Sequence, residues 1–204
     1  ANPAHRDMLF DATRIFMKKH PDHPGALARF GEALSARGDS RQAAAAYARA
    51  AELDPDRFGW CFLRAAENLA TAKAWARLAN LCRTGLKKQP ESAPLNGFLV
   101  QSLAMQDKMG EALKAFEAAV RAGPAGLAAY DSLIGILSGD RYDPDTIIKT
   151  SRLVVERYPK NAKAHRELGI ALRAKGDRGG ALSALRASVE LDPADSRWTY
   201  GALA

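Results

Sequence analysis

The chain has 204 residues, with 30 Lys and Arg against 23 Asp and Glu for a formal charge of +7, and 47 % of it is hydrophobic. That apolar content excludes wholesale disorder, and two cysteines exclude a disulfide-stapled scaffold. No run of about 18 apolar residues is present to cross a membrane, and the opening Ala1-Asn2-Pro3-Ala4-His5-Arg6-Asp7 lacks the basic-then-apolar layout of a secretory signal.

Alanine is abundant while Val, Ile and Thr are sparse, so propensity favours helix over strand throughout. Residues 7–19 read as a first helix, with Leu9, Phe10, Ile15 and Phe16 apolar, closed by Pro21. The next stretch carries Leu27, Phe30, Ala33 and Leu34 in one stripe at helical spacing. Arg37-Gly38-Asp39-Ser40 follows, with Gly38 suited to a helix C-terminus and Asp39 or Ser40 to the next N-cap. A second stripe, Ala43, Ala46, Tyr47, Ala50 and Leu53, then runs to Pro55. The same layout recurs late in the chain: Leu168, Gly169 and Leu172, then Lys175-Gly176-Asp177, then Ala181, Leu185, Ser188 and Leu191 before Pro193.

Six prolines fix the period. Pro21, Pro55, Pro90, Pro124, Pro159 and Pro193 are separated by 34, 35, 34, 35 and 34 residues. Proline inside a helix removes a hydrogen bond and clashes with the preceding turn, so a periodic proline marks a periodic helix end. Two short antiparallel helices per interval are the unit of a helical solenoid.

The pattern resembles the tetratricopeptide repeat (TPR) family. The first full unit carries it on Leu27, Phe30-Gly31, Leu34, Ala43, Tyr47, Ala50 and Pro55; the third on Leu99-Val100, Leu103, Ala112, Phe116 and Ala119; the fifth on His165, Leu168-Gly169, Leu172, Ala181, Leu185 and Ser188. The second fits less closely through Phe62, Ala65-Ala66, Leu69, Leu78, Cys82 and Gly85. So does the fourth, with Asp131, Ile134-Gly135, Ile147, Ser151, Val154 and a turn at Tyr142-Asp143-Pro144. The expected architecture is an all-α, right-handed α-solenoid forming a single array over residues 1–204. Its units are 24–57, 59–92, 93–126, 128–161 and 162–195, with a partial unit at 5–23 and a partial or capping helix at 196–204 bearing Trp198, Tyr200 and Leu203. Gly31, Gly135 and Gly169, with Ala43, Ala112 and Ala181, are expected where two helices approach closely.

Candidate chemistry yields to plainer readings. Cys61 and Cys82 fall on the two helices of the second unit and read as buried, inert thiols. His20-Pro21-Asp22-His23-Pro24 groups two imidazoles and a carboxylate, but its prolines make it a turn between units. His165 is expected packed between helices. Asp54/Asp56 and Asp143/Asp145 sit in turn or cap settings. Gly176-Asp177-Arg178-Gly179-Gly180 joins two helices rather than following a strand, so it is a hairpin turn and not a phosphate cradle. No catalytic or metal-binding constellation is recognised, and no cofactor motif.

The resemblance implies that the first helix of each unit lines a concave groove. On this sequence the groove residues become Arg29 and Glu32; Trp60, Leu63, Arg64 and Glu67; Phe98, Gln101 and Met105; Ile136; and Lys163, Arg166 and Arg173, with Gly25, Ala28 and Ser35 beside the first pair. The middle is apolar and suits an aromatic or aliphatic anchor. The basic end suits acidic side chains or a carboxylate. The carboxylate clamp of chaperone-tail-binding members is absent, since Ala28, Glu32, Arg64, Pro94 and Phe98 stand at its positions. Charge divides as 15 basic and 10 acidic residues over 1–102 against 15 and 13 over 103–204, without runs. Glu32 and Glu67 share the surface of Trp60 and Phe98, which disfavours nucleic acid as a partner.

The expectation is a non-catalytic scaffold that binds a protein or peptide in the groove, with self-association through the terminal helices as a further option. The alternative is the repeat region of a larger enzyme, such as a glycosyltransferase, whose catalytic domain lies outside the chain. The absence of an initiator Met reads as processing or as a cut from a longer protein. Few cysteines and no visible signal lean towards the cytoplasm, and a trimmed N-terminus would hide an export signal.

Overall fold

The computed structural model describes residues 3–139 and 142–195. Among them are twelve α-helices and a closing 3-10 turn, with no strand: α1 (Pro3–Lys19), α2 (Pro24–Ala36), α3 (Ser40–Leu53), α4 (Pro55–Phe58), α5 (Cys61–Thr71), α6 (Trp75–Lys88), α7 (Ala93–Ala104), α8 (Met109–Ala122), α9 (Gly126–Leu137), α10 (Pro144–Arg157), α11 (Ala162–Ala174), α12 (Arg178–Leu191) and the turn Pro193–Asp195. Trp198, Tyr200, Leu203 and the capping helix expected there lie outside the described residues.

The periodic prolines act as the sequence requires. The second helices of successive pairs end at Lys19, Leu53, Lys88, Ala122, Arg157 and Leu191, each two residues before its proline. Within the pairs, a recurring turn reverses the chain. Asp39, Ala74, Lys108 and Asp177 each donate a backbone N–H to the carbonyl five residues back, at Leu34, Leu69, Leu103 and Leu172, over 2.9–3.0 Å. The residue before each donor is left-handed: Gly38 and Gly176 at φ 84°, Lys73 at 51° and Asp107 at 61°. This is the Schellman closure of a helix C-terminus.

The chain divides into two compact units, Ala1–Ala115 and Phe116–Ala204. In the first, α1, α2, α3, α5, α6 and α7 pack in chain order around Leu27, Leu34, Tyr47, Phe62, Leu69, Leu78, Cys82 and Leu95, all buried. Cys82 stands where an aromatic would fill the second repeat. Phe62 and Leu95 take up that space and close on Gly85, where an added Cβ would meet Leu95 at 2.8 Å and Phe62 at 3.2 Å. The first helix of this repeat is broken. Asp54 accepts the backbone N–H of Arg57 and starts the one-turn α4 at Pro55, before α5 begins at Cys61.

In the second unit, α9 packs on α10, α10 on α11 and α11 on α12. Gly169 behaves as expected: an added Cβ would lie 2.6 Å from Leu185 and 3.1 Å from the Ala181 carbonyl. Gly135 does not, since nothing lies within 4 Å of such a Cβ. Ser151 replaces the aromatic that a second helix normally supplies, and Tyr130 of α9 fills the gap instead, buried and 2.8 Å from the Ser151 hydroxyl. Close approach in this repeat falls at Gly126, where a Cβ would collide with the Ala119–Val120 backbone.

Candidate functional site

In the first compact unit, the expected groove residues range from exposed to half-buried along the first helices and their caps, with Ala28 buried. Arg29 and Glu32, one turn apart on α2, form an ion pair of 2.8 Å, and Arg64 and Glu67 on α5 form one of 2.6 Å. Spacing of three residues places such pairs on one helix face. Trp60 precedes α5 and is 46 % exposed; Met105 at the end of α7 is 39 % exposed. Leu63, Phe98 and Gln101 are half-buried, and Phe98 packs against the core. Ala28 is instead 3 % exposed and belongs to the core cluster, so it offers no surface.

Tyr47 was legible only as a core aromatic. Its ring meets the ring of Trp60 at 6.1 Å and 66°, and lies under Gly31, where a Cβ would touch it at 3.0 Å. Burial pushes its hydroxyl pKa up, and the Arg64 guanidinium against it offsets part of that rise. Partial burial disfavours the charge on Arg64, but Tyr47 and Glu67 outweigh it and hold the pKa above the ordinary value. No feature of the sequence signals where this hydroxyl points.

In the second unit the basic residues are compensated inside the fold. Lys163 on α11 reaches Asp131 on α9 at 2.6 Å, and Arg166 pairs with Glu167 at 3.2 Å while both are largely buried. Arg173 is exposed in the last turn of α11, and Ile136 of α9 is half-buried. Two of the three residues of the basic end read from the sequence, Lys163 and Arg166, are therefore held in ion pairs, and the more exposed Lys163–Asp131 pair contributes little by itself.

The remaining candidates are structural. Cys61 and Cys82 are buried free thiols, each pushed up to about 12, by burial in both cases and for Cys61 also by Glu32. Such thiols resist ionisation and are poor nucleophiles. His23 caps α2, its Nδ1 accepting from the Ala26 N–H at 3.1 Å, and Asp22 pairs with Arg49 at 2.9 Å. His165, expected between helices, is half-buried. Its Nε2 lies 2.9 Å from the Pro159 carbonyl, because the preceding turn runs close enough to satisfy the ring. Asp143 caps α10 and its pKa is lowered, first by the Thr146 hydroxyl and then by backbone N–H groups. Asp177 caps α12 through the Gly180 N–H at 2.9 Å. Among the described residues no three His, Cys, Asp or Glu side chains converge as metal ligands, and no helix is long and apolar enough to cross a membrane.

Two segments match family models described as tetratricopeptide repeat, residues 24–57 and 153–196. No curated protein sequence matches the chain. Among solved structures, the chain is similar to YrrB, described as a TPR protein with an unusual peptide-binding site: TM-score 0.55, 20 % identity, 94 % of this chain and 97 % of that one covered. It is similar to the MamA protein at TM-score 0.57 and 18 % identity, covering 86 % and 94 % of the two chains. BtubC from P. vanneervenii aligns at TM-score 0.54 and 16 % identity, covering 95 % and 91 %. Identities this low establish a shared helical-repeat fold.

Proposed function

We propose, from the premise that the chain is a tetratricopeptide repeat protein, that it is a non-catalytic scaffold holding a peptide or protein segment on its first-helix faces. The observation that carries this reading is the exposure of large apolar side chains on those faces in the first unit. Trp60 and Met105 stand out to solvent, with Phe98 and Leu63 half-buried. An exposed tryptophan flanked by polar side chains has the composition of a binding hot spot. YrrB, a solved repeat array of similar length, is described by its peptide-binding site, which supports the same use of this fold.

The titratable groups with shifted pKa values favour the same conclusion. Tyr47, Cys61, Cys82 and Tyr130 are shifted mainly by burial, and Asp143 by its capping role. None pairs a nucleophile with a base in a cleft, which is the arrangement that catalysis needs.

The test is quantitative affinity capture with three proteins: wild type, a Trp60→Ala/Arg166→Glu variant, and a control carrying Arg77→Glu/Arg152→Glu on second helices. Partners lost by the first variant and kept by the control place binding on the first-helix faces. Equal retention by both, with unchanged thermal midpoints, sinks that placement.

A further inference from the structure

One polar atom in the first unit's core is unmatched. Tyr47 is 0 % exposed, and among the described residues its hydroxyl meets no acceptor. Nearly all buried hydroxyls in folded proteins are paired, because leaving one unpaired forfeits its hydration without return. The group beside it does not repair this. Arg64 lies one turn beyond Trp60 on the same face of α5, and its guanidinium rests against the Tyr47 hydroxyl. Guanidinium has five N–H donors and no acceptor, so Arg64 can donate towards the Tyr47 oxygen as it does to Glu67 Oε2 but cannot accept the Tyr47 hydrogen. The Tyr47 hydrogen is therefore left without an acceptor among the described residues.

The place is close to solvent. Arg64 and Glu67 are half exposed along their side chains, and Trp60, which covers the Tyr47 ring edge, is 46 % exposed. A turn of the Arg64 side chain would open the hydroxyl to a ligand. We propose that this place takes a carboxylate presented by a peptide, bridged between the Arg64 guanidinium and the Tyr47 hydroxyl, with an apolar neighbour of that carboxylate resting on Trp60. This rests on the scaffold reading and narrows it to a partner class. A planar monoanion suits two convergent donors. A phosphate dianion does not, since Glu32 and Glu67 flank the place and their charges would oppose a second negative charge. A cationic side chain would compete with Arg64 for Glu67 and would still leave the Tyr47 hydrogen without an acceptor.

The experiment selects random short peptides displayed against the full chain. It then measures dissociation constants of the selected peptides for wild type, Tyr47→Phe, Arg64→Gln and Trp60→Ala. Each peptide is also made with its acidic residue replaced by the amide. Selected peptides are expected to contain Asp, Glu or a free C-terminus beside an apolar residue, and to bind about tenfold more weakly to Tyr47→Phe. The amide peptides should bind the wild type and Tyr47→Phe equally. The thermal midpoint of Tyr47→Phe should not fall, because the variant removes an unpaired hydroxyl and keeps the ring. Acid-free peptides, or acidic ones indifferent to both Tyr47→Phe and Arg64→Gln, overturn the carboxylate assignment. If their binding still depends on Trp60, the scaffold reading stands without it. Binding indifferent to Trp60 as well overturns both.

Discussion

Lys73 and Asp107 adopt the left-handed turn conformation that Gly38 and Gly176 fill elsewhere in the chain. The backbone path is the same in all four turns, with the same five-residue hydrogen bond, so the conformation is imposed by the hairpin and not chosen by the residue. A side chain with a Cβ is strained there, and glycine is not. Lys73, exposed at that position, gives the direct test: Lys73→Gly should raise unfolding free energy by about 0.5–1 kcal/mol, read as a higher denaturant midpoint at unchanged slope. The candidate site shows the same division at this scale. Trp60, Arg64 and Met105 could be placed on a surface from repeat position, because helical phase fixes which face a residue takes. Ala28 could not, since burial of one methyl group depends on neighbours outside its own helix.

Each helix pair repeats, but the way it closes varies. In the fifth repeat a glycine of α11 lets Leu185 and the Ala181 carbonyl come near; in the fourth, Tyr130 stands across from Ser151 and leaves Gly135 in open space. Opposite outcomes follow for one substitution type. Gly135→Ala should stabilise the protein by roughly 0.5–1 kcal/mol, because helix propensity improves and nothing is displaced. Gly169→Ala should lower stability by about 1–3 kcal/mol, because its methyl would overlap Leu185. Thermal or urea unfolding of the two variants checks both, and a shared sign would mean that the fourth repeat closes like the fifth. The sequence pattern assigns the two glycines one role because they share a repeat position; only the size of the side chain across the pair separates them. The break between α4 and α5 is of the same kind. Pro55, which ends one repeat, also begins a helical turn once Asp54 caps it.

Charge across the whole chain is arranged by repeat length. Arg37 reaches Asp7, Arg49 reaches Asp22, Arg83 reaches Glu111, Lys149 reaches Glu117, Lys163 reaches Asp131 and Lys175 reaches Asp145. Each pair is separated by roughly one repeat, so each ties neighbouring units. The charged surface is thus solvated and in part paired between neighbouring repeats, with the net +7 remaining as unpaired excess, and such pairs are individually weak and screened by salt. A stronger pH dependence comes from the two thiols. In the folded chain both hold their protons to about pH 12, against an ordinary 9.0. Above pH 9 the unfolded chain therefore binds fewer protons than the folded one, and stability falls as pH rises. Stability should be unaffected by the thiols below pH 9 and should drop from there towards 12, by at most about 1.4 kcal/mol per pH unit for each thiol. Urea midpoints at about pH 8 and 10 measure the drop, and Cys61→Ala should make it shallower. An equal drop in that variant would remove Cys61 from the account.

By itself the sequence determined the helical class, the period and the ends of the second helices. These are local consequences: proline is tolerated in the first turn of a helix but not in its interior, and apolar spacing sets a stripe within one element. The tertiary structure decided which glycine marks a close approach, that Lys163 and Arg166 are held by Asp131 and Glu167, and that the Tyr47 hydroxyl lacks an acceptor. Those outcomes depend on which side chains meet across helices or across a repeat, where a single difference in volume or reach changes the partner, and the repeat pattern records only the average.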